Sequence, residues 1–244
     1  MKITRTLILG ASGSTGSKLV EQLLLRNENN HVRAIVRSKE WFYQSVAASD
    51  RLEVIEASLL DMNPEEFKEA VKDCDAVCSC LGHNLSMKGI YGQPRRLVVD
   101  AIERVCKTIK VIGPSTPVKV ILMGSDGVAN PDGKDNKRAL IERIIIGCVR
   151  VCVPPHRDNE AAADFLYGII GMQDPMIEWV VVRPTDLIDG EVSSYDTFDK
   201  PTRGLFGDGN ATRANVAHFM NELVVNGETW EKWRSKMPFL LNTE

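Results

Sequence analysis

The feature that most restricts this chain is a glycine turn near its start. Gly10-Ala11-Ser12-Gly13-Ser14-Thr15-Gly16 joins the apolar run Thr6–Leu9 to a segment, Thr15–Leu25, in which Leu19, Val20, Leu23 and Leu24 recur at helical spacing. The run reads as a buried parallel strand and the segment as an amphipathic helix. Glycine at 10 lets the backbone turn sharply off the strand, and glycine at 16 lets the helix approach the sheet closely. Glycine at 13 leaves no side chain between the backbone N–H groups and a ligand. The first N–H groups of a helix have no intrahelical partner, and its amino end carries partial positive charge. A turn of this kind therefore suits a diphosphate, and its context between strand and helix predicts dinucleotide binding.

The rest of the 244 residues repeats the same alternation. Val32–Val36, Leu52–Ile55, Ala76–Cys80, Val118–Met123 and Trp179–Val182 read as further strands. Between and after them, helices are predicted over Trp41–Ala48, Asn63–Lys72 with proline in the first turn, Arg95–Lys107, Leu140–Cys148, Asn159–Ile170 and Arg213–Val225, with a short one over Trp230–Lys236. Strand alternating with helix predicts a parallel sheet covered on both faces, a three-layer α/β/α domain. No linker-like tract divides the chain, so a single domain over 1–244 is expected. The stretch Ile188–Asn210, rich in Gly, Asp, Ser and Thr, is read as a long lid or substrate loop.

Composition narrows the function. With 30 basic and 33 acidic residues, net charge −3, a nucleic-acid partner held by a broad basic surface is not expected. No apolar run approaches the roughly 18 residues of a membrane span, and Met1-Lys2 leads directly into the first strand without a signal-peptide pattern, so the expectation is a cytoplasmic protein with a small-molecule substrate. The six cysteines include Cys78 and Cys80 inside an apolar strand and contain no C-x-x-C pair, so they read as core residues, and no metal site is expected. At the end of the second strand, an NAD-selective site carries an acidic residue for the ribose hydroxyls; here Arg37-Ser38-Lys39 stands in that place, which favours NADP, with Arg37 and Ser38 on its 2′-phosphate. Arg33, four residues earlier, is expected to face elsewhere.

The chain resembles the atypical and extended short-chain dehydrogenase/reductase families, especially the NAD(P)H-binding group that includes NmrA-like and flavin-reductase-like proteins. The likeness rests on Gly10–Gly16, Val32–Arg37, Asp75–Gly82, Trp179–Pro184 and Thr212–Ala217, in that order along nearly the whole chain. It implies a Rossmann-type doubly wound sheet, with a small substrate-binding portion formed mainly by about 184–244. It also implies cofactor contacts from Gly10, Ser12, Gly13, Ser14, Thr15 and Gly16, and from Ser58-Leu59 beside the adenine, with Asp61 as the alternative to Ser58. Cys80, Leu81, Gly82 and His83 would pass the nicotinamide ribose, and Pro184 and Thr185 would border the nicotinamide.

In the same families a Ser and a Tyr-x-x-x-Lys pair carry proton transfer. Ser125, after the fifth strand, matches the Ser. At the Tyr-x-x-x-Lys place stand His156 and Glu160, and none of the four tyrosines is followed by Lys four residues on. His156 is the candidate acid, because imidazole titrates near neutral pH, whereas Glu160 cannot replace a cationic Lys. Asp186 and Asp189 are read as loop-capping groups. The leading expectation is hydride transfer from NADPH to a small carbonyl, conjugated alkene or flavin-like ring. Two alternatives stand beside it: an NmrA-like NADP-binding regulator without turnover, and an isomerase or cyclase on the same fold. A monomer or a homodimer fits either.

Overall fold

A computed structural model describes residues 3–82, 92–133, 153–204 and 207–243, together with positions 135, 142, 145 and 147. The amino-terminal half runs β1 (Thr4–Leu9), α1 (Ser14–Arg26), β2 (Asn30–Val36), α2 (Lys39–Tyr43), β3 (Leu52–Glu56), α3 (Pro64–Val71), β4 (Ala76–Ser79) and α4 (Leu97–Ile112). It continues through β5 (Val118–Met123), α5 (Pro154–Phe165), a π-helical turn (Leu166–Ile170), β6 (Ile177–Pro184), β7 (Asp186–Ile188), β8 (Tyr195–Phe198) and β9 (Asn210–Thr212). The chain closes with α6 (Arg213–Val225), α7 (Gly227–Trp233) and β10 (Phe239–Asn242).

Eight of these strands form one sheet in the order β3-β2-β1-β4-β5-β6-β10-β8. From β3 through β10 every pairing is parallel; β8 runs antiparallel to β10 at the edge. Period-two alternation sends successive strand side chains to opposite faces. Leu7, Leu9, Val77, Val120, Leu122, Trp179 and Val181 pack with Phe67 of α3, Ile102 and Val105 of α4 and Ala162 of α5 on one face. Ile8, Cys78, Ile121, Val180 and Val182 pack with Leu19, Val20 and Leu23 of α1, Val216 and Met220 of α6 and Trp230 and Trp233 of α7 on the other. Burying each large aliphatic side chain contributes about 1.5–3 kcal/mol, so two continuous cores hold the three layers.

Local chemistry sets the helix ends. Asn63 and Glu66 form a reciprocal capping box at the start of α3, and Gly113, in the left-handed region at φ 65°, closes α4. The start of α4 is capped across the fold: the buried carboxylate of Asp158, on α5, accepts from the N–H groups of Val98 and Val99 at 2.8 and 3.0 Å.

The Rossmann-type three-layer single domain expected from the sequence is present. Several boundaries differ. The helix predicted over Trp41–Ala48 is the single turn Lys39–Tyr43, because the Ser38 side chain caps it early. The predicted Asn159–Ile170 helix begins five residues sooner, with prolines in its first turn, and its last turn is π-helical. The stretch Ile188–Asn210 is not wholly irregular: β8 joins the main sheet, and β7 and β9 form a two-stranded ribbon that brackets it. The short helix expected over Trp230–Lys236 lies instead over Gly227–Trp233, and the closing strand β10 was not foreseen. Most of the predicted Leu140–Cys148 helix, and His83, lie outside the described residues. No helix among the described residues is long and apolar enough to cross a membrane.

Candidate functional site

The strand order reverses at β1: the chain winds outward through β2 and β3 on one side, then returns to β4 on the other. Such a switch point opens a crevice at the carboxyl ends of the flanking strands. A cavity of about 600 Å³ lies there, lined by the ends of β1, β2, β3 and β4. Of the residues singled out in the sequence, it brings together Gly10, Ser12, Gly13, Arg37, Ser58, Leu59, Cys80, Leu81 and Gly82. Asp61, the alternative to Ser58, lines it as well, and its N–H donates to the Ser58 carbonyl at 2.9 Å. Gln93, Pro94 and Leu97 complete the wall. No sequence pattern distinguished the first two, and Leu97 was legible only as part of the helix read over Arg95–Lys107.

The glycine turn is as tight as its spacing suggests. Gly10 has φ +76°, and a Cβ there would stand 2.8 Å from the Cys80 carbonyl carbon and oxygen. A Cβ on Gly16 would stand 2.2 Å from the Gly10 carbonyl oxygen, so the first turn of α1 can lie against the end of β1 only with glycine at that position. Ser14, Thr15 and Gly16 form that turn; none of the three lines the cavity, and Thr15 and Gly16 are buried. The helix starts at Gly13 with no side-chain cap and no acidic residue in its first turn. The contrast with α4, whose amino end is closed by Asp158, is informative: α1 leaves its N–H groups and its positive end available to an anion.

Arg37 follows β2 at the cavity rim. It is exposed, and its guanidinium makes no hydrogen bond or ion pair with another described residue. Arg33 does turn elsewhere: it pairs with Glu53 at 2.7 Å and donates to the carbonyls of Glu69, Ala70 and Lys72. The Ser38 hydroxyl accepts from the Trp41 N–H at 3.3 Å, which leaves its own proton free to donate. Glu56, at the end of β3, accepts from the Lys39 N–H at 2.9 Å and pins the backbone that follows Arg37 and Ser38.

Ser125, His156, Pro184 and Thr185 do not line this cavity; Ser125, Pro184 and Thr185 lie at the ends of β5 and β6, and His156 approaches from α5. The N–H of Asp126 donates to the Pro184 carbonyl at 3.0 Å, which joins the two strand ends. Gly127 lies between the two candidate chemical groups: a Cβ there would stand 3.3 Å from His156 Nδ1 and 3.6 Å from Ser125 Oγ. Thr185 is buried, and its hydroxyl has no partner among the described residues. Arg183, fully buried, is structural: it donates to the Met237 carbonyl and holds Asp135 at 2.6 and 3.1 Å. Arg203, from the segment between β8 and β9, reaches both Asp126 and Asp186 at 3.2 Å. That contact draws the long segment toward Ser125, and nothing in the sequence announced it. Asp189 pairs with Arg213 at 2.8 Å.

Cys74, Cys78, Cys80 and Cys106 are buried free thiols, and burial pushes Cys74, Cys80 and Cys106 up to about 12. Among the described residues no group of His, Cys, Asp or Glu side chains is arranged to hold a metal ion. A second hollow of about 610 Å³, between Arg26-Asn27 and Val225–Glu228, lies at the opposite end of α1 from the glycine turn.

A crevice at the reversal of a parallel sheet, an uncapped helix amino end behind a glycine turn and a cation on the rim with no partner among the described residues fit a dinucleotide and define the class of Rossmann-type nucleotide-binding domains. Within that class the chain belongs to the NAD(P)H-binding family, whose sequence model matches residues 10–226. The oxidoreductase claK of Passalora fulva is 24% identical over 205 residues, which is 80% of this chain and 70% of that protein. A crystal structure from Lactobacillus casei superposes with TM-score 0.72 at 17% identity, covering 99% of this chain and 100% of the other. A short-chain dehydrogenase/reductase from Veillonella parvula, in complex with NADP, superposes with TM-score 0.69 at 16% identity, covering 97% of this chain and 94% of the other. At these identities the structural likeness establishes a shared fold.

Proposed function

We propose that this protein is an NADPH-dependent oxidoreductase that reduces a small organic acceptor. The observation that carries the cofactor assignment is Arg37, an unpaired guanidinium at the end of β2 on the cavity rim. A 2′-phosphate gives it the partner that it lacks among the described residues, and the Ser38 proton adds a donor. Gly10, Ser12 and Gly13, with the first turn of α1 at Ser14, Thr15 and Gly16, hold the diphosphate. Ser58 and Leu59 flank the adenine. Cys80, Leu81 and Gly82 follow the nicotinamide ribose. Pro184 and the orphaned Thr185 hydroxyl border the nicotinamide.

Bound NADPH supplies a hydride. The Ser125 hydroxyl donates to the acceptor oxygen and orients it, and His156 delivers the proton. The segment from about 184 to 244 forms the substrate side, and Arg203 fastens part of it over Asp126. The family match and the oxidoreductase relative support redox chemistry over the isomerase alternative. The test is NADPH absorbance in the presence of carbonyl, enone and flavin acceptors. Oxidation that depends on the acceptor is expected; tight NADPH binding without oxidation by any acceptor class would leave the second reading, a dinucleotide-sensing regulator. The observation that favours that second reading is the absence of a Tyr-x-x-x-Lys pair.

A further inference from the structure

The two side chains at the Tyr-x-x-x-Lys place are themselves a pair. His156 and Glu160 lie one turn apart on α5, each with its side chain 12% exposed, and Nε2 of the imidazole is 3.4 Å from Oε1 of the carboxylate. That is ion-pair distance, yet the alignment is poor enough that Nε2 makes no hydrogen bond. The opposite edge of the ring is turned to the loop after β5. His156 Cε1 and Nδ1 stand 3.0 and 3.3 Å from where a Gly127 Cβ would be, and Ser125 Oγ stands 3.6 Å from the same point. A side chain at 127 would press on the imidazole, which would have to give by a few tenths of an ångström. Nδ1 makes no hydrogen bond with a described residue. One ring nitrogen therefore faces a carboxylate, and the other lies on the side of the ring toward Gly127 and the loop that carries Ser125.

We infer that Glu160 is a positioning residue that keeps the proton on Nε2 of His156 and so dedicates Nδ1 to proton transfer with the substrate. This rests on the reductase reading above. A carboxylate can only accept, so closing the 3.4 Å approach into a hydrogen bond requires the proton on Nε2, and that bond would hold the ring with Nδ1 toward the loop that carries Ser125. In the reducing direction the acceptor carbon takes the hydride supplied by the reduced cofactor, which is thereby oxidised, and the carbonyl π pair moves to oxygen. That pair forms the new O–H bond with the Nδ1 proton, and the N–H bonding pair remains on the ring. The imidazolium becomes the neutral Nε2–H tautomer, the form that Glu160 holds. Glu160 thus has a use that does not require it to imitate a cationic Lys.

The test is the imidazole proton itself, read by NMR on protein with 15N-labelled histidine and assigned with His156→Gln. In the wild type without cofactor, at a pH where the ring is neutral, the expected result is an Nε2–H resonance shifted downfield by its carboxylate partner. Glu160→Gln, whose amide oxygen still accepts, should keep the proton on Nε2 with a smaller shift. Glu160→Ala should lose the shift and let the proton distribute between the two nitrogens. With an accepted substrate, Glu160→Ala should lower kcat at least about 10-fold, with KM for NADPH unchanged and Glu160→Gln restoring much of the loss; a positioned proton donor is worth roughly 100- to 10,000-fold, so loosening it forfeits part of that. A wild-type ring protonated on Nδ1, or an Nε2–H resonance that Glu160→Ala does not move, would overturn the inference. Failure of the reductase reading shows separately, as wild-type protein that oxidises no NADPH, and the resonance then decides alone.

Discussion

Replacing Arg37 with alanine isolates the 2′-phosphate from everything else the cavity does. The guanidinium is exposed and makes no hydrogen bond or ion pair with a described residue, so stability should stay within about 0.5 kcal/mol, as for surface substitutions generally. A hydrogen bond to a charged group contributes about 1.5–3 kcal/mol. Arg37 is exposed, so solvent and salt screen it, and the lower part of that range applies. The expected loss is about 1.5–2 kcal/mol, or roughly 10- to 30-fold in NADPH affinity. NADH, which lacks the phosphate, should bind wild type and Arg37→Ala alike. Calorimetric titration of both proteins with both coenzymes, at one fixed ionic strength, reads the difference directly. Equal weakening of the two coenzymes, or no weakening of either, would refute the assignment of Arg37 to the phosphate.

Three further outcomes follow from the packing. Gly16→Ala drives a Cβ to 2.2 Å from the Gly10 carbonyl oxygen, where only backbone could give way, so a loss of about 1–3 kcal/mol or more in denaturant unfolding, together with weakened binding of both coenzymes, is expected. Asp158→Ala leaves the Val98 and Val99 N–H groups without their buried acceptor and should destabilise by about 2–4 kcal/mol, lowering Tm by roughly 5–15 °C, with coenzyme affinity in the surviving folded protein little changed. Burial raises the Cys74, Cys80 and Cys106 thiols to about 12, so thiolate is scarce at pH 8. Peptide mapping after iodoacetamide treatment should find these three unmodified in the native protein and modified after unfolding.

Local sequence carried much of this fold. The glycine turn, the strand before it and the helix after it were legible because each is decided within a few residues, by a positive φ, by period-two burial or by helical spacing. The start of α3, with Pro64 in its first turn, belongs to the same kind, whereas the start of α5 at Pro154 was placed five residues too late. Elements that exist only through a distant partner were not legible. β10 is four residues long and is defined by pairing with Arg183 and Pro184 of β6; β8 is short and mixed in polarity, and it pairs only with β10. Neither has a pattern strong enough to stand without its neighbour.

The same division holds at the site. The residue types of the candidate site were set by the sequence alone: glycines where backbone must be bare and a cation where NAD-selective sites carry an acid for the dinucleotide, and a histidine and a glutamate one turn apart beside the candidate chemistry. Tertiary structure decided what each of them meets. It left Arg37 without a partner among the described residues while Arg33 was consumed by Glu53, brought Arg203 across 77 residues to Asp126, and laid His156 against Gly127 beside Ser125. Backbone conformation and charge are properties of a short segment, whereas the partner of a side chain depends on which strands lie side by side, and that is settled only when the whole sheet has closed.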